Sequence, residues 1–128
     1  MTLLLDTHAL LWFSNDDARL SARGREVITD PGTKRLLSIA SAWEMAIKVS
    51  ISKLKIGGEF AVWIDRLRVG VDAEWLSIEI RDVHRVRDLP WHHRDPFDRL
   101  LVAQSIERGI AIVTVDANIA RYGVEVIW

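Results

Sequence analysis

The feature that most constrains this chain is the regular return of short apolar runs between longer helical stretches. Ile110–Val115 (IAIVTV) is the clearest: short, continuous and rich in β-branched residues, as a strand buried on both faces requires. Thr2–Leu5, Arg35–Ala40 and Val124–Trp128 read the same way, and Glu74–Ile80 (EWLSIEI) alternates apolar with polar residues. Helical segments lie between them. His8–Ser14 is densely apolar, Ser21–Thr29 is polar and closes at Pro31-Gly32, and Phe60–Val69 carries Val62, Trp63 and Leu67. In Ser41–Leu54, Trp43, Ile47 and Ile51 recur every four residues, which predicts a core-facing stripe ended by Gly57-Gly58. Asp82–Leu89 stops at Pro90, Pro96–Arg108 closes at Gly109, and a brief helical turn follows Val115. Strands separated by helices need parallel crossovers, so the expected fold class is α/β with a covered parallel sheet.

At 128 residues and 49% hydrophobic composition, the chain reads as one domain, 1–128, with a genuine core. It has no cysteine, which excludes disulfides, thiolate zinc sites and a catalytic thiol. No apolar run approaches the roughly 18 residues of a membrane span. The opening MTLLLDTHALLWF contains Asp6 and lacks a basic leader, so it does not read as a secretory signal. The expectation is a cytoplasmic protein with no membrane partner. The net charge of −1 arises from 17 bases and 18 acids, and 13 of the bases are Arg.

Four acids stand out by position. Asp6 ends the first strand, Glu44 opens the helix after the second, Asp98 lies in the first turn of the helix before IAIVTV, and Asp116 ends that strand. In a parallel sheet the carboxyl ends of strands and the starts of the following helices share one edge, where ligands bind. Each acid also has a plainer reading. Ser41-Ala-Trp-Glu44 has the form of a capping box, and Glu44 can pair with Lys48. Asp95-Pro96 suits an N-cap followed by the first helical residue, with Asp98 favoured by the helix dipole. Asp6 and Asp116 can each cap the next helix. Ser or Asn would cap as well, however, and a carboxylate at all four positions favours a charged site. Clustered carboxylates repel one another and either take up protons or hold a cation. All-oxygen donors suit Mg²⁺ or Mn²⁺, which can activate water against a phosphodiester.

These residues, in this order, resemble the PIN-domain nucleases, in particular the VapC-type toxins of bacterial toxin–antitoxin pairs. LLLDTHALLW is similar to the first motif of the family and SIASAWEMAIKVSISKLKI to the second. DPFDRLLVAQS is similar to the third, which selects Asp98 over Asp95, and VTVDANIARYG to the fourth, with Thr114. The match runs over essentially the whole chain. It implies a three-layer α/β/α fold with a five-stranded parallel sheet and a Mg²⁺- or Mn²⁺-dependent endoribonuclease with Asp6, Glu44, Asp98 and Asp116 as catalytic residues. It also implies a small inhibitory antitoxin and a homodimer. Many relatives carry a further acid two residues beyond the fourth; here that position is Asn118. The expectation is therefore one firm ion, held chiefly by Asp6 and Asp98.

Supporting roles are open to Thr7, Thr114 and Asp95, the threonines by orienting a water or a carboxylate, with local helix or turn bonding as their plainer use. Trp91-His92-His93-Arg94 precedes the third motif. Arg94 and Arg99 are candidates for phosphate and Trp91 or His92 for stacking on an unpaired base; the alternative is a solvated loop with Trp91 in the core. Adjacent His92 and His93 do not read as ligands of one ion, and His8 and His84 read as structural. Trp12, Trp43 and Trp63 fit apolar core positions. The helices over Leu10–Phe13 and Phe60–Val69 are candidates for a dimer or antitoxin groove. A phosphoacceptor receiver domain fits poorly, because only Asp6 follows the first strand and no Lys lies beyond Lys55. A His-Asp phosphohydrolase lacks further spaced ligands, and a PIN-fold module acting only by binding is disfavoured by the intact acidic quartet. Setting those four acids aside leaves 14 acids against 17 bases, a mildly basic remainder compatible with RNA.

Overall fold

The computed structural model describes residues 1–128. The elements run β1 (Thr2–Leu5), α1 (Thr7–Ser14), α2 (Ala22–Thr29), β2 (Lys34–Ser38), α3 (Ile39–Ser50), α4 (Phe60–Gly70), β3 (Ala73–Leu76), α5 (Ile80–Asp88), α6 (Pro96–Arg108), β4 (Ala111–Val113), α7 (Ala117–Ala120) and β5 (Val126–Ile127). Every strand pairing is parallel, and the strand order is β3-β2-β1-β4-β5. The chain builds outward from β1 on one side and then returns to build on the other. The topological switch therefore lies between β1 and β4, where an open α/β sheet forms its ligand crevice.

The central strands β1 and β4 are apolar on both faces because helices cover both. Leu3, Leu5, Leu37, Ala111 and Val113 pack with Ala9 and Leu10 of α1, Val27 and Ile28 of α2, and Leu67 of α4. Their neighbours Leu4, Leu36 and Ile112 point the other way, onto Leu101 and Val102 of α6 and Ile119 of α7. The alternation has the two-residue period of a strand, and the result is a three-layer sandwich. No helix is long and apolar enough to cross a membrane.

Several boundaries differ from expectation. β2 stops at Ser38, whose hydroxyl accepts from the Ala40 N–H at 3.0 Å and caps α3 three residues earlier than the Ser41 cap the sequence suggests. Ser41 is thus inside the helix with its hydroxyl buried and unpaired, and the Ser41–Glu44 capping box does not form. α3 also ends at Ser50, well before Gly57-Gly58, in a turn that holds Ser52 at a positive φ of 59°. The EWLSIEI run yields a strand only to Leu76, because Glu79 and Asp82 form a reciprocal capping box that starts α5 at Ile80. β4 and β5 are shorter than their apolar runs.

The Trp43–Ile47–Ile51 stripe is not a core face. Trp43 is 57% exposed and Ile47 and Ile51 are exposed with it, while α3 buries Ala40, Ser41, Glu44 and Met45 instead. The small and polar side of the helix faces inward because that side carries Glu44 to the sheet edge. Trp43 is left resting edge-on against Phe97 of α6, their ring centroids 5.1 Å apart.

Candidate active site

The carboxyl edge of the sheet gathers the four acids. Asp6 follows β1 and caps α1, accepting the Ala9 N–H at 2.7 Å. Asp116 follows β4 and caps α7, accepting the Asn118 N–H at 2.8 Å. These two stand on either side of the switch crevice. Asp98 enters from the first turn of α6, where Asp95 is the N-cap and takes the N–H groups of Phe97 (2.8 Å) and Asp98 (3.1 Å). Glu44 reaches the edge from α3. Its Oε1 accepts from the Thr7 hydroxyl at 2.6 Å, and its Oε2 pairs with Lys48 at 3.1 Å. The Thr114 hydroxyl accepts the Asp116 N–H at 3.1 Å and shapes the turn out of β4.

Electrostatics set two of the acids apart. Burial raises the Asp6 carboxyl above its ordinary value; the Thr114 hydroxyl and the Ala9 N–H pull it back, and Asp116 adds repulsion. Burial also pushes Asp98 up to about 7, with further repulsion from Asp95, Glu44 and Asp6 and an opposing pull from His93. No backbone N–H caps the Asp98 carboxylate, so little offsets this cost. The site therefore holds more negative charge than its protein partners balance.

The residue that sequence reasoning missed is His93. Its Nε2 lies 2.7 Å from Asp116 Oδ2 and 3.2 Å from Asp98 Oδ2, and the three ligand-capable atoms fall within 4.8 Å of one another. The adjacent pair His92-His93 discouraged a shared-ion reading, but the two rings diverge. His92 turns edge-on to Tyr122, their centroids 4.9 Å apart, while His93 enters the site. The available signal was the five-residue distance from His93 to Asp98, short enough for the loop before α6 to fold back onto that helix's first turn.

Arg99 is a correction. It is 3% exposed, and its guanidinium donates to the carbonyls of Pro90 (2.9 Å), Val86 (3.1 Å) and Leu89 (3.3 Å) and to the Tyr122 hydroxyl (3.2 Å). It is spent on holding the 90–95 loop and is not available to phosphate. Trp91 is the opposite case. It lies outside the core, 76% exposed, with the Arg99 guanidinium 3.8 Å from its ring centroid, so one face is backed by a cation and the other is open. Arg94 is exposed beside it, and His8 and His84 are exposed on α1 and α5.

A model of the PIN domain matches residues 3–125. The chain belongs to the PIN domain family. Among curated relatives, Ribonuclease VapC22 of Mycobacterium tuberculosis (strain ATCC 25618 / H37Rv) is 28% identical over 123 residues, covering 94% of this chain and 92% of that protein. Solved structures share the fold at lower identity. VapBC2 from Rickettsia felis, bound to a DNA fragment from their promoter, superposes with a TM-score of 0.70 at 14% identity, covering 98% of this chain and 97% of that one. VapBC-1 from nontypeable Haemophilus influenzae gives 0.69 at 12%, covering 98% and 96%, and FitAcB from Neisseria gonorrhoeae gives 0.62 at 15%, covering 97% and 95%.

Proposed function

We propose that this chain is a divalent-cation-dependent endoribonuclease, the toxin of a toxin–antitoxin pair. The observation that carries the reading is the convergence of Asp6, Glu44, Asp98 and Asp116 at the β1/β4 crevice, with Asp98 held high by burial and by its neighbours' charge. The donor set suits Mg²⁺ or Mn²⁺: the acids offer oxygen only, and their unbalanced charge is what a hard cation relieves. Asp6 and Asp98 are its chief holders, with Asp116 beside them; Glu44 is already partly matched by Lys48 and Thr7. When bound, the cation supplies Lewis-acid charge for a phosphodiester and lowers the pKa of water. The residues around it position that chemistry. Thr7 fixes Glu44, Thr114 fixes the Asp116 turn, and Asp95 anchors the first turn of α6 that presents Asp98.

RNA contacts fall to Arg94 for phosphate, to the open face of Trp91 for an unpaired base, and to His92 at the same loop. The antitoxin occupies the cleft between α1 and α4, lined by Phe13, Trp63, Arg66 and Leu67, as a helix in a groove. The relation to Ribonuclease VapC22 and to the VapBC and FitAcB structures supports both the activity and the partner. A second copy covers the exposed α3 stripe, since a two-fold interface needs one patch that complements itself. The mildly basic remainder of the chain gives modest electrostatic attraction to RNA, so recognition rests on the site itself.

The test is cleavage of total RNA by the purified chain with Mg²⁺ or Mn²⁺ against EDTA, with Asp6→Asn and Asp98→Asn alongside. Wild type cuts only with the ion, and both variants fold and do not cut. Undiminished cleavage by the two variants, or by wild type in EDTA, refutes the assignment.

A further inference from the structure

His93 is built into the site with more care than a loop residue needs. Its backbone N–H donates to the Tyr122 hydroxyl at 2.9 Å, and the buried Arg99 holds the Tyr122 hydroxyl and the loop carbonyls together. The decisive bond is on the ring. The Asp95 N–H donates to His93 Nδ1 at 3.0 Å, so Nδ1 must present a lone pair. In a neutral imidazole the proton then sits on Nε2, the atom that lies 2.7 Å from Asp116 Oδ2 and 3.2 Å from Asp98 Oδ2. An Nε2 that carries a proton is a hydrogen-bond donor and offers no lone pair to an ion. To become a ligand, the ring would have to move its proton to Nδ1, against the N–H of Asp95. The same amide belongs to the residue whose side chain caps α6, so it cannot turn away without loosening the turn that carries Asp98.

We propose that His93 is a positioning residue, not a metal ligand: its Nε2–H binds Asp116 Oδ2, with Asp98 Oδ2 close beside the same nitrogen, and competes with a divalent cation for the Asp116 carboxylate. That bond offsets part of the negative charge at Asp116 when no ion is bound and lowers the affinity with which an ion enters. Charge-assisted bonds of this kind are worth roughly a tenfold change in an equilibrium constant. The inference rests on the proposed reading only in that the site takes a cation.

Calorimetric titration of Mn²⁺ into wild type and His93→Ala tests it. The variant is expected to bind about tenfold more tightly. Equal or weaker binding overturns the inference, the weaker case making His93 a ligand. A second measurement needs no variant: long-range ¹H–¹⁵N correlation of the His93 ring in wild-type protein at pH 8. The expected result in EDTA is a bare Nδ1 and a protonated Nε2, with the Nε2–H signal displaced on saturation with Mg²⁺. A protonated Nδ1, or an Nε2–H that ignores Mg²⁺, overturns the proposal. If neither protein binds a divalent ion, the cation reading of the whole site fails with it; binding that is indifferent to His93 removes this inference alone.

Discussion

Replacing Asp98 with Asn isolates the electrostatic cost of the site. Burial, then the charge of Asp95, Glu44 and Asp6, pushes this carboxyl from 3.8 to about 7 against the opposing pull of His93. A carboxyl with a raised folded-state pKa binds its proton more tightly folded than unfolded. Its contribution to stability is therefore fully present below about pH 4 and is lost as pH rises through about 7. At about 1.4 kcal/mol per tenfold, the loss is about 1.5 kcal/mol by pH 5 and about 4 kcal/mol by pH 8. The side chain keeps 25% of its surface exposed, and that hydration reduces the difference between the two pH values to about 1–2 kcal/mol. Asn does not titrate. Urea unfolding in EDTA, followed by tryptophan fluorescence, should therefore show Asp98→Asn gaining about 1–2 kcal/mol on wild type between pH 5 and pH 8. Added Mg²⁺ at pH 8 should reverse the order, because it stabilises only the protein that binds it. A stability difference that is flat with pH, or that favours wild type as pH rises in EDTA, would refute the reasoning. Either result would mean that the protein already balances the Asp98 charge.

Two further outcomes follow from contacts away from the acids. Arg99→Lys places a point charge where a planar fork serves several carbonyls and the Tyr122 hydroxyl; a loss of about 3 kcal/mol in urea unfolding is expected, with faster proteolysis of the 90–95 loop. Trp43→Glu puts a charge into the exposed α3 stripe and should convert the proposed dimer to a monomer in analytical ultracentrifugation, with the fold retained by circular dichroism because the ring lies outside the core of the single chain.

The sheet was legible because its signal is local. Leu3 to Leu5 and Ala111 to Val113 are apolar at every position, and only strands covered on both faces require that. The number of strands followed from the family resemblance, and their order β3-β2-β1-β4-β5 was not legible, because no local pattern tells on which side of β1 a crossover lands. The α3 stripe was misread because periodicity shows that one face differs from the other and does not show which face turns inward. Trp43, Ile47 and Ile51 form the more apolar side, yet the helix is oriented by Glu44, Ser41 and Met45. Arg99 was misread for a related reason. An Arg near a proposed phosphate site invites a phosphate contact, and only the three-dimensional path of the 86–93 segment shows its guanidinium surrounded by carbonyls. The five-residue distance from His93 to Asp98 was a sequence signal for its place in the site, but which of its ring nitrogens meets the Asp95 amide was not legible.

The sequence posed helix capping and a charged site as competing explanations of the acids, and the geometry makes them one. Asp6 gives Oδ1 to the Ala9 N–H, and Asp116 gives Oδ1 to the Asn118 N–H. In Asp116 the other oxygen, Oδ2, meets His93. A carboxylate can do this because it has two acceptor oxygens, where a Ser hydroxyl in the same cap would spend its single oxygen on the helix. Capping fixes the rotamer, and a fixed rotamer aims the second oxygen. Each cap thus sets the geometry of the crevice before any ion arrives, which is what a site built from short side chains on two neighbouring strands needs. Asp98 departs from this pattern. Its helix is capped by Asp95 instead, so both of its oxygens are left to the site, and it is there that the charge is least balanced.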